Sequence, residues 1–148
     1  DRSSAASDVY KRQAPKEIEQ ACATYGQALG TAFQVIDDVL DYEGDTDELG
    51  KNLGDDLREG KVTLPIICAL RNANPAQQTL LRNAIVEGDF EHMDDILQII
   101  RDTGALDAAR SSASSEAHRA MAAAEHLPDN EYRLALLQLA ADLLERRS

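Results

Sequence analysis

The chain has 148 residues, a formal net charge of −12, 43% apolar and 28% charged residues, and no tryptophan. That length suits one domain able to bury a core of its own. The acidic balance excludes nucleic acid as a partner, because duplex binding needs clustered Lys and Arg, and no run of about 18 uncharged apolar residues is present to span a membrane.

In chain order, residues 1–13 (DRSSAASDVYKRQ) show no apolar periodicity and lack the apolar core of a signal peptide. They read as a disordered or foreign leader, with an abrupt junction near Gln13-Ala14. Pro15 is placed to open a helix. Ile18, Ala21, Cys22, Tyr25, Leu29, Ala32, Phe33, Ile36, Val39 and Leu40 then recur at three- and four-residue steps. The spacing predicts a long amphipathic helix over 15–43, ending near Gly44. Gly26 and Gly30 weaken it by up to about 1 kcal/mol each, tolerable where a neighbouring helix or ligand comes close. Residues 44–61 hold four glycines and many acids, and predict a loop with at most a short helical turn. VTLPIICALRN predicts a second helix with Pro65 in its first turn. Asn74-Pro75 with Gln77 signals another start, and Gly88 its stop. Asp89 opens a further helix that stops near Gly104, and Ala105–Leu127 is helical until Pro128 breaks it. Asp129 is the expected cap of a last helix whose stripe is Tyr132, Leu136, Leu137, Leu139, Ala140, Leu143 and Leu144. No β-alternation appears, so the fold class is all-α, a helical bundle.

The acid is concentrated. Asp37 to Lys61 carries ten acids against Lys51, Arg58 and Lys61, a net −7 in about a sixth of the chain. Asp37 and Asp41 lie about 40° apart around a helix axis, and Asp38 and Asp41 about 60° the other way. All three are expected to point outward from roughly one side. Like charges so spaced destabilise an isolated helix by a few tenths of a kcal/mol per pair, and a hard divalent cation compensates. Mg²⁺ takes one or two carboxylates and completes its octahedron with water and phosphate oxygens. Asp37, Asp38 and Asp41 are therefore candidate metal ligands. Lys51 and Lys61 are candidate point charges for an anionic diphosphate, and Gln34 offers an amide one turn before them. A D-D-x-x-D taken alone is more often a solvated helix face. Gln34, Lys51 and Lys61 taken singly are more often surface residues. An EF-hand calcium loop fits Asp45, Asp47 and Gly50 but fails at Leu49, and at Asp56 where Glu belongs. Cys22 and Cys68 read as two buried thiols of a reducing compartment. His92, His118 and His126 read as surface or satisfied histidines, and Tyr10, Tyr25, Tyr42 and Tyr132 as packing residues.

YGQALGTAFQVIDDVLDY followed by GKNLGDDLREGKVTLP resembles the second aspartate-rich region of the trans-isoprenyl diphosphate synthases, the polyprenyl synthetases. It is most similar to the long-chain, octaprenyl-like bacterial branch. The resemblance covers about Pro15 to the C-terminus, so residues 14–148 would be the C-terminal half of an isoprenoid-synthase-type fold. It implies a prenyltransferase that ionises an allylic diphosphate, adds isopentenyl diphosphate and loses a proton. It implies Mg²⁺ on Asp37, Asp38 and Asp41, diphosphate contacts from Gln34 and Lys51, help from Lys61, and Phe33 at the hydrocarbon end. Asp37, Asp38 and Lys51 would carry the catalysis, which is electrostatic stabilisation of the leaving group. It further implies a cytoplasmic homodimer feeding ubiquinone-type side chains. The family's first aspartate-rich motif, isopentenyl diphosphate pocket and Lys-Thr pair precede this region and are not among these residues. The 148 residues alone are accordingly expected to be inactive, to expose apolar surface, and to leave product length unspecified. The alternative from another class is an acidic helical calcium- or partner-binding module without catalysis.

Overall fold

The computed structural model describes residues 15–43 and 53–146, and among them every regular element is an α-helix. In chain order these are α1 (Pro15–Leu40), α2 (Asp55–Arg58), α3 (Leu64–Asn72), α4 (Pro75–Glu87), α5 (Met93–Asp102), α6 (Ala105–Ala124) and α7 (Glu131–Glu145). The all-α expectation holds. The expected leader, Tyr10, and the Asp45, Asp47, Leu49, Gly50 and Lys51 positions lie outside the described residues.

The chain divides into two compact units, Asp1–Ala32 with Ser115–Glu145 and Phe33–Ser114 with Arg146–Ser148. In the first, small residues make a close-packed seam: Ala28, Ala120, Ala124 and Ala140 are fully buried and Tyr25 sits among them. The Tyr25 hydroxyl donates to the Leu136 carbonyl at 2.7 Å, so its polar tip is satisfied inside the seam. In the second unit α3, α4 and α5 pack on one another around Leu57, Ile66, Leu81, Ile96 and Ile100. Burying each such side chain contributes about 1.5–3 kcal/mol. Met93, Ile96, Ile99 and Ile100 recur at helical spacing and form the inner face of α5, leaving Asp94 and Asp95 in the first turn, where acid suits the helix dipole.

The helix ends show which local signals decide structure. Asn74 Oδ1 accepts from the Gln77 amide at 2.8 Å and Gln77 Oε1 accepts from the Asn74 amide at 2.9 Å, a reciprocal capping box. Gly88 ends α4 at φ 66°, a left-handed conformation that glycine takes without cost. Asp89 does not open α5. Its carboxylate accepts from Glu91 N at 3.2 Å in a turn, and the helix starts at Met93. Nor does Asp129 cap α7: Asn130 Oδ1 accepts from Tyr132 N and Arg133 N at 3.0 and 3.1 Å.

Burial corrects three readings. Cys22 is exposed while Cys68 is buried, so only one thiol is a core residue. Tyr132 and Leu139 of the expected α7 stripe stand in solvent; the buried stripe is narrower, with Ala140 and Leu143 at its centre. A Cβ added to Gly26 or Gly30 would meet nothing within 4 Å, so among the described residues no neighbour makes use of their small size. Phe33, Ile67, Val86 and Leu134 also remain exposed, of which only Phe33 lies on α1. All three histidines are exposed, as expected.

Candidate metal and diphosphate site

The acidic motif sits where α1 runs out. Backbone bonds Asp41 N to Asp37 O, Tyr42 N to Val39 O and Glu43 N to Leu40 O carry the helical path one turn beyond Leu40. The next described stretch then returns to this turn. Gly54, at φ 80°, donates its amide to the Asp41 carbonyl at 2.9 Å, and the Asp56 amide donates to Asp41 Oδ2 at 3.1 Å. Asp41 thus serves as an acceptor through both backbone and side chain.

The three aspartates do not share one outward face. Asp37 is exposed, whereas Asp38 is 9% and Asp41 5% exposed. The reason is tertiary: residues 53–58 fold over this side of the helix, a contact that helical geometry alone does not encode. Asp56 takes part instead. The Asp38 carboxyl is held above its ordinary value, first by burial and then by the charges of Asp56 and Asp37. The Gln34 amide, donating to Asp38 Oδ1 at 3.0 Å, and the more distant Lys61 pull it back. Lys61 Nζ lies 3.2 Å from Glu59 Oε2 and 3.8 Å from Asp56 Oδ1, and its pKa is raised by the hydrogen bond and charge of Glu59.

Gln34, Asp37, Asp38, Asp56 and Lys61 are therefore one electrostatic neighbourhood. Lys51 lies outside the described residues. Among the described residues no three His, Cys, Asp or Glu side chains converge as a closed metal cluster. The donor chemistry still fits a hard divalent cation. The oxygens are carboxylate, Mg²⁺ needs only one or two of them, and a buried carboxylate crowded by two others favours a cation beside it.

Five neighbours, Glu43, Arg110, Arg146, Tyr42 and Thr63, were not legible as site residues. Glu43, two residues after Asp41, receives a two-point hydrogen bond from Arg110: Nε to Oε1 at 3.2 Å, and Nη2 to Oε2. Arg110 Nη1 also donates to the Arg146 carbonyl at 3.3 Å. The Arg146 guanidinium lies 5.1 Å from the centre of the Phe33 ring, a cation–π contact at the residue expected to face hydrocarbon. Tyr42 is buried with its hydroxyl unpartnered among the described residues, as is that of Thr63. Burial, then the neighbouring Asp41 and Asp56 and last Asp38, push the Tyr42 phenol well above its ordinary range, opposed by the Thr63 hydroxyl, which stands beside it without making a hydrogen bond of normal geometry.

Residues 2–103 match the family model described as polyprenyl synthetase, a match that begins inside the 1–13 segment. The octaprenyl diphosphate synthase of Haemophilus influenzae is 50% identical over 123 residues, 82% of this chain and 37% of that protein. That of Escherichia coli is 44% identical over 131 residues, 88% of this chain and 41% of that protein. Among solved structures, a polyprenyl synthase from Caulobacter crescentus, complexed with calcium and isoprenyl diphosphate, superposes with a TM-score of 0.75. It is 41% identical and covers 87% of this chain and 40% of its own. A decaprenyl diphosphate synthase from Rhodobacter capsulatus gives a TM-score of 0.78 at 36% identity, over 92% of this chain and 41% of that one. The chain spans about two fifths of the length of the curated relatives it matches. With a family model matched over more than half its residues, and the helices and acidic turn that its relatives' likeness extends across, the chain belongs to the polyprenyl synthetase family.

Proposed function

We propose that this chain carries one part of the diphosphate site of a Mg²⁺-dependent prenyltransferase, which condenses an allylic diphosphate with isopentenyl diphosphate into a long-chain, octaprenyl-like product. The observation that carries the reading is the buried Asp38 carboxylate, crowded by Asp37 and Asp56 and held by Gln34. Such a site is poorly suited to an isolated protein surface and well suited to a cation. Family membership then selects the ligand, a diphosphate ester whose anionic head a cation held by these carboxylates would meet.

The demanding step is breaking the bond between the allylic carbon and the diphosphate oxygen, because negative charge builds on the leaving group. A divalent cation held at this site would neutralise that charge. The residues of this chain do the rest. Asp37 and Asp38 present oxygens, with Asp41 holding the turn and reachable as a third ligand. Gln34 fixes the orientation of Asp38, and its neighbourhood with Lys61 keeps positive charge at the diphosphate end. Lys51 is assigned a diphosphate contact on the family pattern alone. Phe33, one residue from Gln34, supplies apolar surface for the hydrocarbon. On the same family pattern the whole protein is a cytoplasmic homodimer serving quinone side-chain synthesis, and a chain of two fifths its length does not turn over by itself.

Titration calorimetry tests this. Inorganic diphosphate with Mg²⁺ is expected to bind the chain, and Asp38→Asn to weaken it at least about tenfold. Binding of Ca²⁺ with no dependence on diphosphate would instead support the acidic calcium-binding module.

A further inference from the structure

We infer that Arg110 is a positioning residue for this site: by gripping Glu43 it fixes the turn that presents Asp41 to the Gly54 and Asp56 amides, and so sets where Asp56 stands beside Asp38. The inference rests on the proposed function only for its consequence in binding, not for its geometry. Arg110 reaches Glu43 across 67 residues of sequence, meets both carboxylate oxygens, and uses its remaining nitrogen on the Arg146 carbonyl. Both side chains are about a quarter exposed. A planar guanidinium in this fork geometry fixes direction as well as distance, which a lysine ammonium does not.

The position of Glu43 gives this grip its meaning. Glu43 follows the last helical turn of α1, held there by its amide bond to the Leu40 carbonyl. Asp41 lies two residues earlier and receives the Gly54 and Asp56 amides. The turn is thus clamped from two sides, by α6 through Arg110 and by the segment entering α2 through Asp41. Releasing the α6 clamp leaves the Asp41 carbonyl and carboxylate freer to move against Gly54 and Asp56, and with them the spacing of Asp56 and Asp38.

A matched control exists in the other unit. Arg133 donates to Glu125 Oε2 at 2.7 Å and to the Leu127 carbonyl at 3.4 Å, the same combination of carboxylate and backbone acceptor far along the chain from the acidic motif. Amide hydrogen exchange in the full 148-residue chain is compared for wild type, Arg110→Gln, Arg110→Lys and Arg133→Gln. Exchange at Gly54 and Asp56, each divided by that at Ala120, is expected to rise about tenfold in Arg110→Gln and less in Arg110→Lys, because charge survives and the fork does not. Arg133→Gln should leave the ratio unchanged. An unchanged ratio in both Arg110 variants, or an equal rise in Arg133→Gln, overturns the inference. Calorimetry with Mg²⁺ and inorganic diphosphate gives the second readout, where Arg110→Gln is expected to weaken binding about fivefold and Arg133→Gln less than about twofold. If wild type itself takes up no diphosphate, the proposed function fails, while the exchange ratios still decide the role of Arg110.

Discussion

Replacing Tyr42 by phenylalanine should stabilise this protein. The ring is 2% exposed, and among the described residues its hydroxyl makes no hydrogen bond of normal geometry, the Thr63 hydroxyl beside it included. A buried hydroxyl left unpaired costs about 1–3 kcal/mol relative to its hydrated state, and Phe keeps the ring and its packing. Allowing for imperfect relief, Tyr42→Phe is expected to gain about 1 kcal/mol, or roughly 2–4 °C in midpoint for a chain of this size. Tyr25 is the internal contrast, buried to a similar degree but donating to the Leu136 carbonyl. Tyr25→Phe removes a made bond and should cost about 1 kcal/mol. Urea melts at neutral pH measure both. The Tyr42 phenol is held above the ordinary tyrosine value of 10.0, so the folded state resists losing that proton while the unfolded chain does not. Wild-type stability therefore falls as pH rises above 10, and the advantage of Phe should widen there. A Tyr42→Phe protein less stable than wild type would show that the hydroxyl is satisfied, by bound water or another group, and would refute the argument.

Further outcomes follow from the same structure. Asp38→Asn should stabilise the metal-free chain at neutral pH, because burial and the neighbouring carboxylates disfavour the ionised form. The sign is that of an acid with a raised folded pKa: its penalty grows as pH rises through and above 3.8, and the advantage of Asn should vanish in melts run below that value. Asn74→Ala removes the Oδ1 acceptor of the Gln77 amide, one of the two bonds of the α4 capping box, and should cost about 1 kcal/mol in a denaturant titration. Ile96→Ala, at a side chain with no exposed surface, should cost about 2–5 kcal/mol by the same assay, and a loss below 1 would mean that the core closes over the cavity.

How far the sequence discloses this molecule depends on the range of each interaction. The Asn74–Gln77 box and the Gly88 stop are read directly, because their partners lie within four residues. The α5 face is read from spacing, since Met93, Ile96 and Ile100 share one side of a helix wherever it packs. The start of α7 was misassigned by one residue, Asp129 for Asn130, because either side chain suits a cap and only the backbone path chooses. Cys22 was expected in the core because it falls on an apolar repeat, yet a repeat marks a face without saying how much of it is covered. At the acidic motif the residue types were legible and their arrangement was not. Asp38 and Asp41 turn inward because residues 53–58 return to them, and Arg110 joins from 67 residues away, a partnership with no local signature.

The Asp41 crossover also bears on how this stretch of the gene tolerates change. One residue receives amides from Gly54 and Asp56, so the intervening peptide forms a ring closed on a single point. Closing such a ring becomes harder only logarithmically with its size, about 0.6 kcal/mol for a doubling. Insertions and deletions between positions 44 and 52 should therefore cost the stability of this turn little while displacing Lys51 from its assigned diphosphate contact, whereas shifting Gly54 by one residue relative to Asp56 should break the turn itself. The same crossover thus separates two kinds of damage, loss of a diphosphate contact on one side and loss of the fold on the other.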